Sequence, residues 1–215
     1  EEALPAVLRA LLKMRRLDDA LDLFRRHVRD FPHGSLDTRS TCALFLALCR
    51  TRRIEDATGF LAELEQAFPT PTDAGALEAG REAGMAALAA AVDPTLPPEP
   101  MWHAIGSRLL PTLALARIDA GDLEGALALA HRLGQPNGQC LPPAHVMTDL
   151  VRQFGKARCL VGVYAILDAQ ALGGQDADLD GLQAMVDALV RDVRFVKGGV
   201  SMDTLPEDEW PEIAF

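Results

Sequence analysis

Basic side chains near two short turns are the residues whose types and spacing could do chemistry in this sequence. Arg9, Lys13 and Arg16 follow the spacing i, i+4 and i+7, which would place them along one side of a helix. Further arginines lie in two similar stretches, MRRLDDAL at 14–21 and TRRIEDAT at 51–58. A row of guanidinium groups on one edge suits RNA phosphates, which position a nucleic acid without reading its sequence. The predicted RNA-phosphate contacts are Arg9, Lys13, Arg15, Arg16, Arg52 and Arg53.

These basic residues have a second interpretation, as the solvated face of an ordinary helical protein. Acidic residues lie close to them in the sequence and could neutralise them as ion pairs. The candidates are Asp18, Asp19, Asp22, Glu55 and Asp56. An exposed ion pair contributes little stability, and a paired arginine is less free to bind a phosphate. The sequence leaves both interpretations open.

The other reactive residue types form no recognisable site. The five histidines lack metal-ligand spacing, and the four cysteines include no CxxC pair. Cys42 and Cys49 lie seven residues apart on one helix face, so we expect them to pack rather than react. The run GQDADLD at 174–180 is similar to a calcium loop but lacks its glycine and its closing glutamate. No GxxxxGK[ST] phosphate loop is present. For these residues we expect no catalysis, no metal and no cofactor.

Charge is unevenly distributed along the chain. Its net value is −10, but residues 1–56 carry eleven Lys or Arg against nine Asp or Glu, a balance of +2. Residues 57–215 have a balance of −12, which should repel a polyanion. No apolar run reaches the length of a membrane span, so we expect no membrane partner. The basic first part suits an RNA partner and the acidic remainder suits protein partners, and we expect no small-molecule substrate. The chain begins at Glu1 rather than at a methionine, as it would if a targeting segment had been removed.

Apolar residues recur with helical spacing in most of the chain. Helices are predicted over 1–16, 17–31, 41–49, 54–68, 73–92, 101–118, 123–133, 144–155, 160–172 and 178–195. The 41–49 helix should begin near Asp37, and Pro111 should kink or start a helix within 101–118. Four prolines in 93–100 predict a loop.

The helices are joined in pairs by short polar joints that recur. The second helix of each pair should begin at Leu17, Ile54, Leu123 or Leu160, with gaps of 37, 69 and 37 residues. Residues 73–92 would fill the missing place in the long gap. A period of roughly 35 residues with two helices each is typical of an α-solenoid. The predicted fold is all-α, with four to five hairpins stacked as a short right-handed solenoid and an extended tail.

This organisation divides the chain into four parts. Two hairpins with the basic edge occupy 1–69, and an Ala-rich helix with a Pro-rich loop follows at 70–100. Two further hairpins and a terminal helix occupy 101–196, and the tail is 197–215.

The stretch CALFLALCRTRRIEDATGFLAELEQA at 42–67 resembles a pentatricopeptide repeat, and tetratricopeptide repeats are also similar. The first helix, the short polar joint and the start of the second helix carry the resemblance. Pentatricopeptide repeats bind single-stranded RNA through a polar residue early in the first helix. That position corresponds to Pro5, Cys42, Pro111 and Thr148, of which Thr148 alone is polar in the expected way. The resemblance therefore implies a base contact at Thr148.

The tail FVKGGVSMDTLPEDEWPEIAF at 195–215 resembles the start of the GTPase domain in the EngB/YihA family of ribosome-assembly GTPases. The matching blocks are FVK at 195–197, LP at 205–206 and PEIAF at 211–215. The resemblance implies that a GTPase domain could follow Phe215, and GTP and Mg²⁺ would be its cofactors.

We expect a non-catalytic, helical-repeat scaffold in an organellar ribonucleoprotein. It would associate with a mitochondrial or chloroplast ribosome, with its basic edge on ribosomal RNA and its acidic remainder against protein subunits. Three alternatives are the N-terminal region of an EngB-like GTPase, a pentatricopeptide-type protein that binds organellar transcripts, and a tetratricopeptide-like peptide adaptor.

Overall fold

Pairs of antiparallel helices make up the computed structural model of this chain. It describes residues 3–30, 37–71, 75, 78–80, 82–84, 100–133, 141–172, 183–184 and 186–187. These residues contain helices, turns and short connections but no strand, which confirms the all-α prediction at this level. The helices are α1 (Ala3–Lys13), α2 (Leu17–Asp30), α3 (Thr38–Arg50), α4 (Ile54–Ala67), α5 (Met101–Ala104), a π-helical turn (Ile105–Leu109), α6 (Leu110–Ala120), α7 (Leu123–Leu133), α8 (Ala144–Lys156) and α9 (Leu160–Leu172).

The predicted joint positions are confirmed. The helices α2, α4, α7 and α9 begin at Leu17, Ile54, Leu123 and Leu160, which are the four residues that the repeat alignment indicates. Two or three residues separate the end of each first helix from the start of the second helix, which is enough for a tight turn. Each pair α1/α2, α3/α4, α6/α7 and α8/α9 therefore forms a hairpin.

Contacts run from each hairpin to the next. The first helices contact in succession, α1 with α3, α3 with α6 and α6 with α8. Among the second helices, α7 contacts α9, while α2 contacts α3 and α4 contacts α6. The second and third hairpins are therefore direct neighbours, and the expectation that residues 73–92 stand as a repeat between them is not supported.

A cluster of aromatic side chains joins the first two hairpins. The ring centroids of Phe24 and Phe60 are 4.5 Å apart, and those of Phe45 and Phe60 are 6.1 Å apart. All three side chains are fully buried. Each contributes on the order of 2–3 kcal/mol by leaving water, so hydrophobic packing holds these hairpins together.

The helical stretch that begins at Met101 contains a π-helical turn, Ile105–Leu109, which ends two residues before Pro111. Proline has no backbone N–H and cannot close the usual bond to the carbonyl four residues earlier. The N–H of Leu110, the residue before the proline, bonds to the carbonyl of Ile105, five residues back. Pro111 thus lies in the first turn of α6, directly after a π-helical turn, which agrees with the prediction that it starts or kinks a helix here.

Parts of the remaining predictions fall on described residues. Within 73–92, the residues Gly75, Glu78–Gly80 and Glu82–Gly84 are helical, and the absent side chains of Gly80 and Gly84 admit Trp102 and His103. Within 178–195, helical structure is described for 183–184 and 186–187. The 93–99 loop, the 174–180 run and the tail 195–215 lie outside the described residues, as does Cys140.

Candidate nucleic-acid interface

All four joints share one backbone conformation. The residue two places before each second helix has a positive φ, at 58° for Arg15, 59° for Arg52, 83° for Gly121 and 57° for Arg158. This left-handed conformation ends a helix and turns the chain back. It costs a non-glycine residue roughly 1 kcal/mol, because Cβ approaches the following carbonyl. Three joints therefore carry arginine at a position that glycine occupies more easily.

Backbone hydrogen bonds close each joint in the same way. The residue just before each second helix donates to a carbonyl five residues earlier. The four N–H to O distances are 2.9 Å from Arg16 to Leu11, 3.0 Å from Arg53 to Leu48, 2.9 Å from Asp122 to Arg117 and 2.9 Å from Cys159 to Phe154. This is the Schellman closure of a helix C-terminus. The side chains at the joints are thus held by a rigid backbone.

Exposed basic pairs flank the first two joints. Each pair consists of the last residue of the first helix and the left-handed residue, giving Lys13 with Arg15 and Arg50 with Arg52. All four side chains are exposed, and within the described ranges none of them makes an ion pair or side-chain hydrogen bond. These cations are available to an external anion. Arg50 is absent from the predicted set, although it precedes Arg52 by the spacing that separates Lys13 from Arg15.

Two of the predicted phosphate contacts, Arg16 and Arg53, are engaged within the protein. Arg16 Nε lies 2.5 Å from Asp19 Oδ2 on the protein surface. Arg53 Nε lies 2.6 Å from Asp56 Oδ2, and its Nη1 lies 2.6 Å from Asp18 Oδ1 on the preceding hairpin. Hydrogen bonds to these carboxylates raise the pKa of both guanidinium groups. The alternative interpretation as ion pairs therefore describes these two arginines.

The bond between Arg53 and Asp18 also shows where the joints lie. Asp18 follows the first joint and Arg53 belongs to the second, so the two joints are adjacent on one edge. Arg117 Nη2 similarly donates to Thr58 Oγ1 at 2.9 Å, which brings the end of α6 beside the start of α4. The third joint therefore follows the second along the same edge. Arg9 lies back from this edge and donates from Nε to the Pro5 carbonyl in its own helix at 3.1 Å.

The third joint has the opposite charge pattern. Asp119 and Gly121 stand where the first joint carries Lys13 and Arg15. Asp122 caps α7 by accepting from the Gly125 N–H at 2.9 Å, and it also pairs with Arg117. The hydrogen bond from the Gly125 N–H is the largest cause that lowers the pKa of Asp122. The contact with Arg117 also lowers it, while partial burial acts in the opposite direction. Residues 119–122, which form this joint, include no Lys or Arg.

The fourth joint restores the basic pair. Lys156 ends α8 and Arg158 is the left-handed residue, at the same positions as Lys13 and Arg15. Both side chains are exposed and unpaired within the described part of the chain. The sequence prediction did not include them because it was based on the RR dipeptides of the first two joints. At the fourth joint the second arginine of that dipeptide is replaced by Cys159. Counting back from Leu160 would have found them.

Thr148 is 3% exposed in α8. A nucleic-acid base could not reach its hydroxyl without displacing the side chains packed around it. Of the equivalent positions, Pro111 is buried, and Pro5 and Cys42 are partly buried. The burial of Thr148 gives no support to the base contact that the repeat resemblance implies.

Other reactive groups are part of the hydrophobic interior. Burial raises the pKa of the Cys49 thiol to about 11, which keeps it protonated near neutral pH. Cys42 and Cys159 take part in no disulfide bond and are partly buried. Among the described residues there is no group of three or more His, Cys, Asp or Glu side chains placed to hold a metal ion. No helix in the described ranges is long and apolar enough to span a membrane.

A shallow depression of about 210 Å³ lies between α4 and the helix that begins at Met101. Its lining includes Trp102, Phe68 and the ion pair between Glu65 and Arg132. Because the pair joins α4 to α7, these charges connect neighbouring hairpins.

Comparison with known proteins adds no family assignment. No protein-family model matches the chain, and no curated protein matches it.

Proposed function

We propose that this protein is a non-catalytic helical-repeat scaffold that contacts RNA phosphates through the edge formed by its helical joints. Its setting would be an organellar ribonucleoprotein, namely a mitochondrial or chloroplast ribosome, where the acidic remainder meets protein subunits. The proposal includes stacking of the hairpins as an α-solenoid. The succession of contacts α1–α3, α3–α6 and α6–α8 supports that arrangement.

The observation that carries the proposal is the set of unpaired cations at adjacent joints. Lys13, Arg15, Arg50 and Arg52 are exposed, while the neighbouring Arg16 and Arg53 are neutralised by carboxylates. Arginine offers several N–H donors in a planar fork that fits phosphate oxygens. Phosphate contacts of this kind give affinity without base recognition, in keeping with the burial of Thr148.

Structure at the joints makes these cations suitable as fixed contacts. Each left-handed arginine lies in a turn closed by backbone hydrogen bonds, so we expect its Cα position to change little when RNA binds. Less backbone ordering is then required on binding, and that reduces the entropic cost.

The test is the salt dependence of binding to a mixed-sequence single-stranded RNA. The variant Arg15→Gln with Arg52→Gln should lower the slope of log affinity against log salt by about 1.4, since each phosphate contact contributes about 0.7. The matched control is Arg26→Gln with Arg29→Gln, which removes two exposed arginines of α2 away from the joints. Equal losses in both variants would indicate general attraction and would contradict a joint-edge site.

A second candidate function comes from the tail. The blocks FVK, LP and PEIAF at 195–215 favour an N-terminal region of an EngB-like GTPase that acts in ribosome assembly. The reading frame beyond Phe215 tests it: a Gly-rich run ending in GKSS would support the candidate, and a stop codon would remove it.

A further inference from the structure

The presence of arginine at three left-handed positions is unexpected from backbone energetics alone. Gly121 shows that the same joint can be built with glycine, which adopts positive φ without a steric cost. Arg15, Arg52 and Arg158 adopt it at a cost, and their side chains make no hydrogen bond or ion pair within the described residues. Local strain of this type is found where a side chain serves function.

The three arginines also share a basic partner. Lys13, Arg50 and Lys156 each precede the left-handed arginine by two residues and are exposed. The third joint replaces this pair with Asp119 and Gly121. The basic pair therefore occurs at joints one, two and four and is interrupted at joint three.

We propose that Lys156 and Arg158 form a second RNA-phosphate site, and that the RNA which fits both sites is a double-stranded segment. This inference rests on the proposed function, since it concerns the same joint edge. The helices α8 and α9 pack on α6 and α7 respectively, so the fourth joint continues the edge beyond the third. With hairpins about 10 Å apart, the second and fourth joints are separated by roughly 20 Å.

The acidic charge at the third joint favours duplex RNA over single-stranded RNA as the ligand of the second and fourth joints. A single strand that followed the edge from joint two to joint four would bring its phosphates beside Asp119 and Glu124, both of which are exposed. Like charges there oppose binding. A duplex presents two phosphate backbones separated by a groove. The outer basic pairs could contact one backbone each, while the acidic third joint faces the groove between them.

The experiment measures salt-dependent binding of the full chain to an RNA duplex of about two helical turns and to one of its separated strands. Lys156→Gln with Arg158→Gln should lower the duplex slope by about 1.8, at about 0.9 per phosphate of a duplex. The same variant should leave the single-strand slope unchanged. The matched control is Arg26→Gln with Arg29→Gln, which should alter neither slope.

A variant that adds a cation at the third joint tests whether the acidic residues there prevent a single strand from binding along the edge. Asp119→Lys restores a cation at the third joint and should strengthen single-strand binding more than duplex binding. Thermal unfolding of each variant checks that the fold is retained.

The outcomes separate this inference from the proposed function. If Arg15→Gln with Arg52→Gln weakens RNA binding but Lys156→Gln with Arg158→Gln does not, the second site is refuted and the joint-edge function stands. If neither pair changes binding to either RNA, both are refuted. If Lys156→Gln with Arg158→Gln weakens both RNAs equally, the duplex assignment is wrong.

Discussion

The first two joints carry Asp19 and Asp56 at the third residue of the following helix, whereas the last two carry Gly125 and Gly162. In the first pair, these aspartates accept bonds from Arg16 and Arg53, which precede the helix. In the second pair, a side chain from the previous helix covers the glycine. That side chain is Arg117 at the third joint and Phe154 at the fourth.

The difference teaches that one backbone turn can be stabilised by two kinds of side-chain contact. The first two joints place ion pairs on the surface and leave their basic pairs facing solvent. At the last two joints a side chain of the first helix lies against the second helix, where glycine has no Cβ to exclude it. Packing against the glycine should therefore contribute most to the stability of the last two joints, whereas surface ion pairs contribute at the first two.

The largest expected effect is at Gly162. A methyl group there would overlap the ring of Phe154, which is fully buried. We expect Gly162→Ala to lower the free energy of unfolding by about 2 kcal/mol, since overpacking a core costs 1–3 kcal/mol. Urea denaturation measures this. Gly59→Ala is the control, because nothing lies within 4 Å of a Cβ there, and it should be neutral or stabilising.

We expect the change in the free energy of unfolding for Gly125→Ala to lie between those for Gly162→Ala and Gly59→Ala. Its methyl group would displace the flexible end of Arg117 rather than a buried ring. A loss as large as that of Gly162→Ala would contradict the distinction between the two joints.

The next largest expected loss of stability follows from removing the Asp122 side chain. We expect Asp122→Ala to cost about 1 kcal/mol, because Asp122 caps the N-terminus of α7. The pKa of Asp122 is lowered in the fold, so its contribution is present above its unfolded pKa of about 3.9 and is lost as pH falls through the lower folded pKa. Wild type and variant should therefore converge in stability below about pH 4. A constant difference down to pH 2 would contradict the charge-based explanation.

The ion pairs of Arg53 and Arg16 differ because the first connects two hairpins and the second lies within one hairpin. Arg53 is 30% exposed and bonds to carboxylates of two hairpins, whereas Arg16 is 59% exposed and bonds to one. We expect Arg53→Met to cost about 0.5–1 kcal/mol, at the upper end of values for exposed pairs. Arg16→Met should leave the unfolding midpoint unchanged. Equal effects would mean that Arg53 does not connect the first two hairpins.

The register of the joints could be predicted from the sequence because it depends on local features. An apolar residue begins each second helix, and a short polar turn precedes it, so Leu17, Ile54, Leu123 and Leu160 are recognisable without tertiary information. The helices 123–133 and 160–172 agree with the structure at both ends.

Partners across hairpins could not be predicted in this way. Arg53 and Arg52 are adjacent and alike in sequence, yet one bonds to Asp18 of another hairpin and the other faces solvent. That choice depends on which side chain the turn directs toward the preceding hairpin. The same holds for Thr148, which has the residue type of a base contact but lies in the interior.

The most direct test of the central claim is the double variant Arg15→Gly with Arg52→Gly. Glycine relieves the left-handed backbone, so stability should stay equal or rise, by at most about 1 kcal/mol per site. RNA binding should weaken in the same variant, with a salt slope lower by about 1.4 for a single strand. A protein of equal or higher stability that binds RNA less tightly is the predicted result. Unchanged RNA affinity and salt slope would contradict the claim that these arginines contact phosphates.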